Sequence, residues 1–321
     1  MKNRKLMALG MVAAMTGSLA ACGGSSSSST TTAAATTAAA TTAAATEAAT
    51  TAAAAETTAA AAEASGDAEI GADTQAIIDR GVLRVGVKNA VQGFSFQDTV
   101  TGEYEGLEDD LARKIAEDLG CKDGVEFTTV TAATRTELLD SGDIDCVIAT
   151  FTISDERKKS WDFTTPYYTD HNAVLVQKSS GITDIKDLIG KKIGVSSGSN
   201  SAKALVQELV DEGLVDGSKF DKDTFDPATW TEGVTFQQYD DYPSISTALT
   251  AGEVDGFTVD KSILAIYKTD DRDFLPTEFA AQDYGIATKK GSDFSKYTEA
   301  EVQKYLADGT IAGWISQYGL G

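Results

Sequence analysis

From Leu83 onward, apolar residues fall in two alternating rhythms. Short apolar runs bounded by turn residues, the mark of buried strands, stand at 83–87, 125–130, 146–149, 173–176, 193–195, 234–239, 256–259 and 284–288. Between them the apolar positions take helical spacing. Leu107, Leu111, Ile115 and Leu119 form one face of a helix that opens after Gly106, and further helices are predicted at 135–139, 202–209, 244–251, 262–267 and 296–307. The alternation runs up to Pro166-Tyr167-Tyr168 and then restarts. Two successive βαβ series predict an α/β fold of two units with mostly parallel sheets. Ligands in such folds sit beyond the carboxyl ends of strands.

Upstream of Asp73 neither rhythm appears. Lys2, Arg4 and Lys5 precede a short apolar stretch, 6–19, too brief to span a bilayer, and Leu19-Ala20-Ala21-Cys22 follows. Charge, length, small residues and Cys22 fall in the register of a lipoprotein signal, so residues 1–21 are expected to be cleaved and Cys22 to carry the lipid anchor. Two or more acyl chains give stable anchoring where one gives marginal binding. Residues 22–72 are mostly Gly, Ser, Thr and Ala, with TTAAA repeated over 31–45, and hold too few large apolar residues to pack. This segment reads as a disordered stalk, and about 50 residues could reach roughly 170 Å. Such a reach suits the surface of a Gram-positive cell.

The chain carries 27 Lys+Arg against 49 Asp+Glu, a net charge of −22, and loss of the signal makes it more acidic still. So acidic a chain is a poor partner for nucleic acid or for an anionic membrane surface. A local basic pocket for an acidic ligand remains compatible with it. Cys121 and Cys146 are the cysteines beyond Cys22, in a compartment that permits a disulfide, although Cys146 lies inside an apolar run where a free thiol is common. His171 is the one histidine, which gives no basis for a His metal cluster or a Ser-His-Asp triad; no metal and no cofactor are expected.

The run 143–168, DIDCVIATFTISDERKKSWDFTTPYY, carries the densest chemistry. Its strand empties into Thr150, Thr152 and Ser154, with Arg157 three residues further on. Hydroxyls, free backbone N–H groups and a guanidinium at one strand end make a carboxylate receptor. The same residues read equally as a helix N-cap at Thr152 or Ser154, with Arg157 in solvent. Three other segments share this ambiguity. GVSSGSNS at 194–201 is either an anion cradle at a helix N-terminus or a plain capped turn. Asp260 closes a strand and either accepts from an ammonium or caps the next helix. Lys88, just past a strand, faces either a ligand or water.

Taken in order, these pieces resemble an extracellular solute-binding protein of the polar amino-acid family that serves ABC importers. The resemblance covers 83–321 and rests on LLDSGDIDCVIATFTISDERKKSWDFTTPYY, GKKIGVSSGSNS, ALTAGEVDGFTVD and QDYGIATKKGS. LRVGVKN, IATFTISDER and YDDYPSISTAL bring it nearest the glutamate/aspartate/glutamine-binding branch. The resemblance implies a two-lobed, periplasmic-binding-protein-like (type II) fold. Lobe 1 would be 73–166 plus 285–321 and lobe 2 172–278, with hinge strands at 167–171 and 279–284. It implies that Arg157 grips a ligand α-carboxylate, assisted by the Thr152 hydroxyl and N–H. The Thr150 carbonyl would take the ammonium, Asp260 would supply its counter-charge, and the N–H groups of Ser199 and Asn200 would close from lobe 2. Lys88 would read the ligand side chain, which suits glutamate or aspartate, with Ser196 and Thr258 as weaker pocket candidates.

The implied function is a monomeric, lipid-anchored amino-acid-binding protein that delivers its ligand to an ABC permease and catalyses nothing. The alternatives are a glutamine or cystine binder, a dehydratase-like enzyme on the same fold using Glu137 and Lys88, or a sensor domain. Two departures from the family pattern stand out. Asp109 in GLEDDLA occupies a usually apolar position, and residues 131–133 are small where relatives place an aromatic, leaving Phe94 or Phe151 to supply that wall.

Overall fold

The structure, a computed structural model, describes residues 70–321. The signal segment, Cys22 and nearly all of the stalk fall outside the described residues. The folded part begins with a helix, Ala72–Arg80, one residue before the expected boundary. Its first N–H groups are held by the Asp293 carboxylate, Asp73 at 2.9 Å and Thr74 at 3.1 Å, which ties the start of this helix to the start of helix Phe294–Ala307.

Two sheets carry the architecture. The first has five strands in the order Val125–Thr129, Leu83–Val87, Cys146–Val147, Ala287–Lys289, Trp161–Phe163. The three strands 125–129, 83–87 and 146–147 are parallel, and 287–289 is antiparallel to both its neighbours. The second orders Thr235–Tyr239, Lys192–Ser196, Gly256–Asp260, Tyr168–Gln177 and Arg272–Phe274, with Phe279–Tyr284 also on Tyr168–Gln177. The architecture is two-lobed α/β, as the sequence rhythm implies. Tyr168–Gln177 and Phe279–Tyr284 pair antiparallel, and their Tyr168 and Tyr284 ends reach the first lobe, where Tyr167 N–H bonds the Tyr284 carbonyl at 2.9 Å.

The helix Leu107–Leu119 shows how the pattern becomes structure. Leu107, Leu111, Ile115 and Leu119 are all buried against Leu83, Val85 and Val87. Each such side chain contributes about 1.5–3 kcal/mol of burial. Gly120, at φ 80°, ends the helix by turning its N–H back to the Ala116 and Glu117 carbonyls. In the second lobe Leu188, Ile193, Leu205 and Leu209 form the corresponding core.

Several elements depart from expectation. The predicted strand 146–149 pairs only over Cys146–Val147, although Ile148 and Ala149 stay buried. The predicted strand 284–288 is broken into Phe279–Tyr284 and Ala287–Lys289. A small three-stranded sheet, Ala90–Val91, Ser95–Gln97 and Tyr104–Glu105, and a last helix, Thr310–Gln317, were not anticipated. Cys121 and Cys146 are both buried and free.

Candidate functional site

Parallel strands 83–87 and 146–147 end side by side, so Lys88 and Thr150 emerge at one point. Lys88 is 4% exposed. Its Nζ donates to Thr150 Oγ1 at 2.5 Å and to the hydroxyl of Tyr242, a second-lobe residue whose ring centroid lies 4.6 Å away. Burial pushes the Lys88 ammonium down to about 7; the nearby Arg135 acts in the same direction, while Asp260 and Glu108 oppose it.

Thr150 adopts φ 41°, a left-handed conformation that costs a β-branched residue of order 1–3 kcal/mol. Its surroundings hold it there. The Thr150 N–H donates to Glu108 Oε1 at 2.5 Å, and Tyr167 OH donates to the same oxygen at 2.5 Å. Behind it, Arg135 Nη1 donates to the Ala149 carbonyl at 3.0 Å and, at 3.4 Å, to the Thr150 carbonyl. That carbonyl, the expected ammonium acceptor, is thus already shared with a guanidinium.

Arg135 was missed from the sequence. It opens the helix Arg135–Ser141 and shares that helix's buried face with Leu139. The signal that could have found it is that i, i+4 placement, a charge where the face turns inward. Its guanidinium lies 3.7 Å from the Phe151 ring centroid, and that of Arg157 lies 4.7 Å from the same ring. Two guanidiniums against one ring repel. Burial first and this mutual repulsion second bring Arg157 down to about 9, and burial brings Arg135 down to about 10. Phe151 packs against both guanidiniums and lines the cleft, whereas Phe94 is buried edge-on against Tyr168 and Tyr284 in the core.

At 152–157 the bonds are local, and Arg157 is half-buried rather than in solvent. Ser154 Oγ accepts the Arg157 N–H at 3.2 Å at the start of a single 3₁₀ turn, Arg157–Lys159, while Arg157 Nη1 donates back to the Thr152 carbonyl at 2.7 Å. The Thr152 hydroxyl donates to Gln282 Oε1 at 2.8 Å, so its hydrogen is spent. Its N–H is not used in the bridge to Tyr284, whose flanking bonds are Ile153 N–H to Asp283 O and Gly285 N–H to Phe151 O.

From the second lobe, Asp260 is 5% exposed and accepts the Tyr284 hydroxyl. Burial pushes its carboxyl up to about 6, against the hydrogen bond from Tyr284, and Asp170 close by adds to the rise. Asn200 Nδ2 donates to Gln282 Oε1 at 3.0 Å, so one amide on strand Phe279–Tyr284 holds Thr152 and Asn200 together. The Ser199 N–H, expected to face a ligand, is taken by the Ser196 carbonyl at 3.1 Å. The hydroxyls of Ser199 and Ser201, at the N-terminus of helix Ser201–Asp211, are buried without a partner. Ser196 lines a small hollow with Lys88 and Tyr242. Thr258 is not brought to the cleft. It is fully buried in the second sheet, and its hydroxyl bonds the Ala173 carbonyl at 2.9 Å.

The parts meet around a small pocket between Lys88, Arg135, Thr152, Asn200, Tyr242 and Asp260. A larger cleft that shares Arg135, Thr152 and Asn200 with this pocket is lined also by Phe151, Arg157 and Lys203. Cations converge there from lobe 1 and a carboxylate from lobe 2. Among the described residues no group of three His, Cys, Asp or Glu side chains is placed to hold a metal ion.

Comparison with known proteins gives a consistent result. The family description "bacterial extracellular solute-binding proteins, family 3" matches residues 83–321. The chain is 31% identical over 239 residues to an ABC transporter glutamine-binding protein of Bacillus subtilis, covering 73% of this chain and 80% of that one. It is 33% identical to an L-cystine-binding protein of Escherichia coli, with the same coverage. A glutamate-binding protein of Corynebacterium efficiens is 28% identical over 79% of this chain and 84% of its own. Among solved structures, an ancestral arginine-binding protein bound to arginine superposes with a TM-score of 0.62 at 30% identity, covering 74% of this chain and 98% of that one.

Proposed function

Because this chain belongs to the bacterial extracellular solute-binding proteins, family 3, we propose that its cleft takes an acidic amino acid, glutamate or aspartate. The protein is an amino-acid-binding component of an ABC transport system, working outside the cytoplasm. The finer reading rests on one observation. Lys88, Arg135 and Arg157 all face the cleft, and among the described residues none has a carboxylate within ion-pair distance. Buried charges are normally paired, and the cost of leaving them unpaired is several kcal/mol each. A neutral zwitterion brings one carboxylate to three cations. Glutamate or aspartate brings two.

In this reading Arg157 and the Thr152 N–H hold the α-carboxylate, with the N-terminus of the helix at Ser201 closing over it beside Ser199 and Asn200. Asp260 faces the ammonium, and the Thr150 carbonyl assists. Arg135 and Lys88 take the side-chain carboxylate. Residues 1–21 are the signal, Cys22 the lipid attachment and 22–72 the stalk of a monomeric receptor on a Gram-positive surface. Lobe 1 (73–166 and 285–321) and lobe 2 (172–278) close about the hinge at 167–171 and 279–284. The loaded, closed form is what the permease receives.

Glutamine or cystine is the second reading, favoured by the higher identity of the two relatives that carry those ligands in their names. The enzyme reading loses its acid, because Glu137 is exposed on its helix. Titration calorimetry with glutamate, aspartate, glutamine and cystine tests the proposal. Acidic amino acids should bind at least tenfold more tightly than glutamine; a preference for glutamine or cystine sinks the acidic assignment.

A further inference from the structure

Asp109 is the residue that neither the family pattern nor the ligand scheme absorbs. It is fully buried in the first turn of helix Leu107–Leu119. A carboxylate in a first helical turn ordinarily meets free N–H groups. Here the leading N–H groups are spent elsewhere: Leu107 N–H bonds the Gly93 carbonyl and Glu108 N–H the Phe94 carbonyl, each at 2.9 Å. Asp109 Oδ2 has no partner at all. Oδ1 has one neighbour, Ser95 Oγ at 2.7 Å, and that same Ser95 oxygen lies 2.5 Å from the backbone carbonyl of Lys88.

Counting hydrogens settles this geometry. Ser95 is fully buried and its hydroxyl has one hydrogen. A carbonyl only accepts, so that hydrogen belongs to the Lys88 carbonyl. The close contact between Ser95 and Asp109 then needs a hydrogen of its own, and only the carboxyl can supply it. An ionised Asp109 would set two acceptors against each other and bury a charge with no donor, which costs several kcal/mol.

We propose that Asp109 is carried as a neutral carboxylic acid and acts, through Ser95, as a positioning residue for Lys88. The relay runs from the Asp109 O–H to Ser95 Oγ and from the Ser95 O–H to the Lys88 carbonyl. It fixes the backbone of the residue that reads the ligand side chain, and so rests on the acidic-ligand reading above. Burial holds the Asp109 carboxyl up to about 8, helped by Glu108 and Asp110 on its own helix and opposed by Arg113. The Lys88 ammonium at the end of the adjacent strand turns away, toward Thr150 and Tyr242.

The test uses the full chain, wild type, Asp109→Asn and Asp109→Leu. Difference infrared spectra at pH 7, wild type minus Asp109→Asn, should show the carbonyl band of a protonated carboxyl; absence of that band overturns the neutral acid. Asp109→Asn still donates to Ser95 and should bind glutamate within threefold of wild type at pH 7. Asp109→Leu lacks the donor and should lose at least threefold more for glutamate than for glutamine. Between pH 7 and pH 9 wild type should weaken at least threefold relative to Asp109→Asn, because Lys88 titrates in both and only Asp109 differs. A constant ratio, or equal losses for the two ligands in Asp109→Leu, overturns the positioning role. Wild type that binds no acidic amino acid overturns the ligand assignment and the positioning role together, while the infrared band still decides the proton.

Discussion

Arg135 illustrates what a single residue contributes here. It is 3% exposed, without an ion-pair partner, and close enough to Arg157 to depress it. A residue in that position has two opposite effects: it destabilises the ligand-free site by repulsion and stabilises the occupied one. Arg135→Gln should therefore cost glutamate about 2–5 kcal/mol of binding, the cost of truncating one partner of a buried charge pair. It should cost glutamine far less, and calorimetry with both ligands reads the split. A similar argument holds for Lys88, whose ammonium burial brings down to about 7. A bound side-chain carboxylate raises it again. The Lys88 contribution to glutamate affinity should therefore be fully present below pH 7, fall as the pH rises through 7 toward the bound-state value, and be accompanied by proton uptake near pH 8. Glutamine should show no uptake, and calorimetry in buffers of different ionisation enthalpy measures it. At this scale the sequence was informative where a charge followed a strand, as with Lys88, Asp260 and Arg157. It was silent on Arg135, because a short helix with Leu138 and Leu139 gives too few turns to mark its inward face. Thr258 misled because its strand is buried on both faces, so alternation along it carried no information.

Elements decide how the two sides meet. The loop between strand Lys192–Ser196 and helix Ser201–Asp211 approaches residues 132–133 of the other lobe so closely that a side chain at Gly198 has no room. A Cβ there would lie 2.7 Å from the Ala132 carbonyl oxygen and 2.8 Å from the Ala133 Cα, and the backbone sits at φ +74°. The small residues at 131–133, a departure from the family pattern, are what this loop packs against. Gly198→Ala combines a left-handed strain of about 1–2 kcal/mol with a backbone clash that exists only when the lobes touch. It should lower glutamate affinity at least tenfold, and X-ray scattering should show no ligand-induced compaction. Normal compaction would show that the lobes meet otherwise. Periodicity located the helices and central strands well, since each buries one face over several turns or lies wholly inside. It failed where burial is thin. Helix Thr310–Gln317 buries only Ile311, and the sheet at 90–105 is made of strands of two or three residues.

For the whole molecule, the far field and the near field have opposite signs. The chain carries −22 at pH 7, while the cleft gathers three cations around Asp260. At about 0.1 M salt, charges more than roughly 10 Å apart are largely screened. A glutamate anion approaching at low salt is therefore opposed by the acidic surface before the pocket can attract it. Glutamine, with no net charge, experiences neither. Association of glutamate, followed by stopped-flow tryptophan fluorescence, should quicken as salt rises from about 0.02 to 0.2 M, by about two- to fivefold, because steering by net charge is the term that salt removes first. Glutamine should change little over the same range. The dissociation rate should hardly respond in either case, since the contacts that hold the ligand are buried and weakly screened. Association that slows with salt would mean that the three cations dominate the field at the mouth of the cleft. That outcome would require the acidic residues to lie far from the entrance. The exposed pair there, Lys203 with Glu156 at 2.7 Å, is neutral as a unit and favours neither sign. The salt response thus separates what the composition says about the protein from what the cleft says about its ligand.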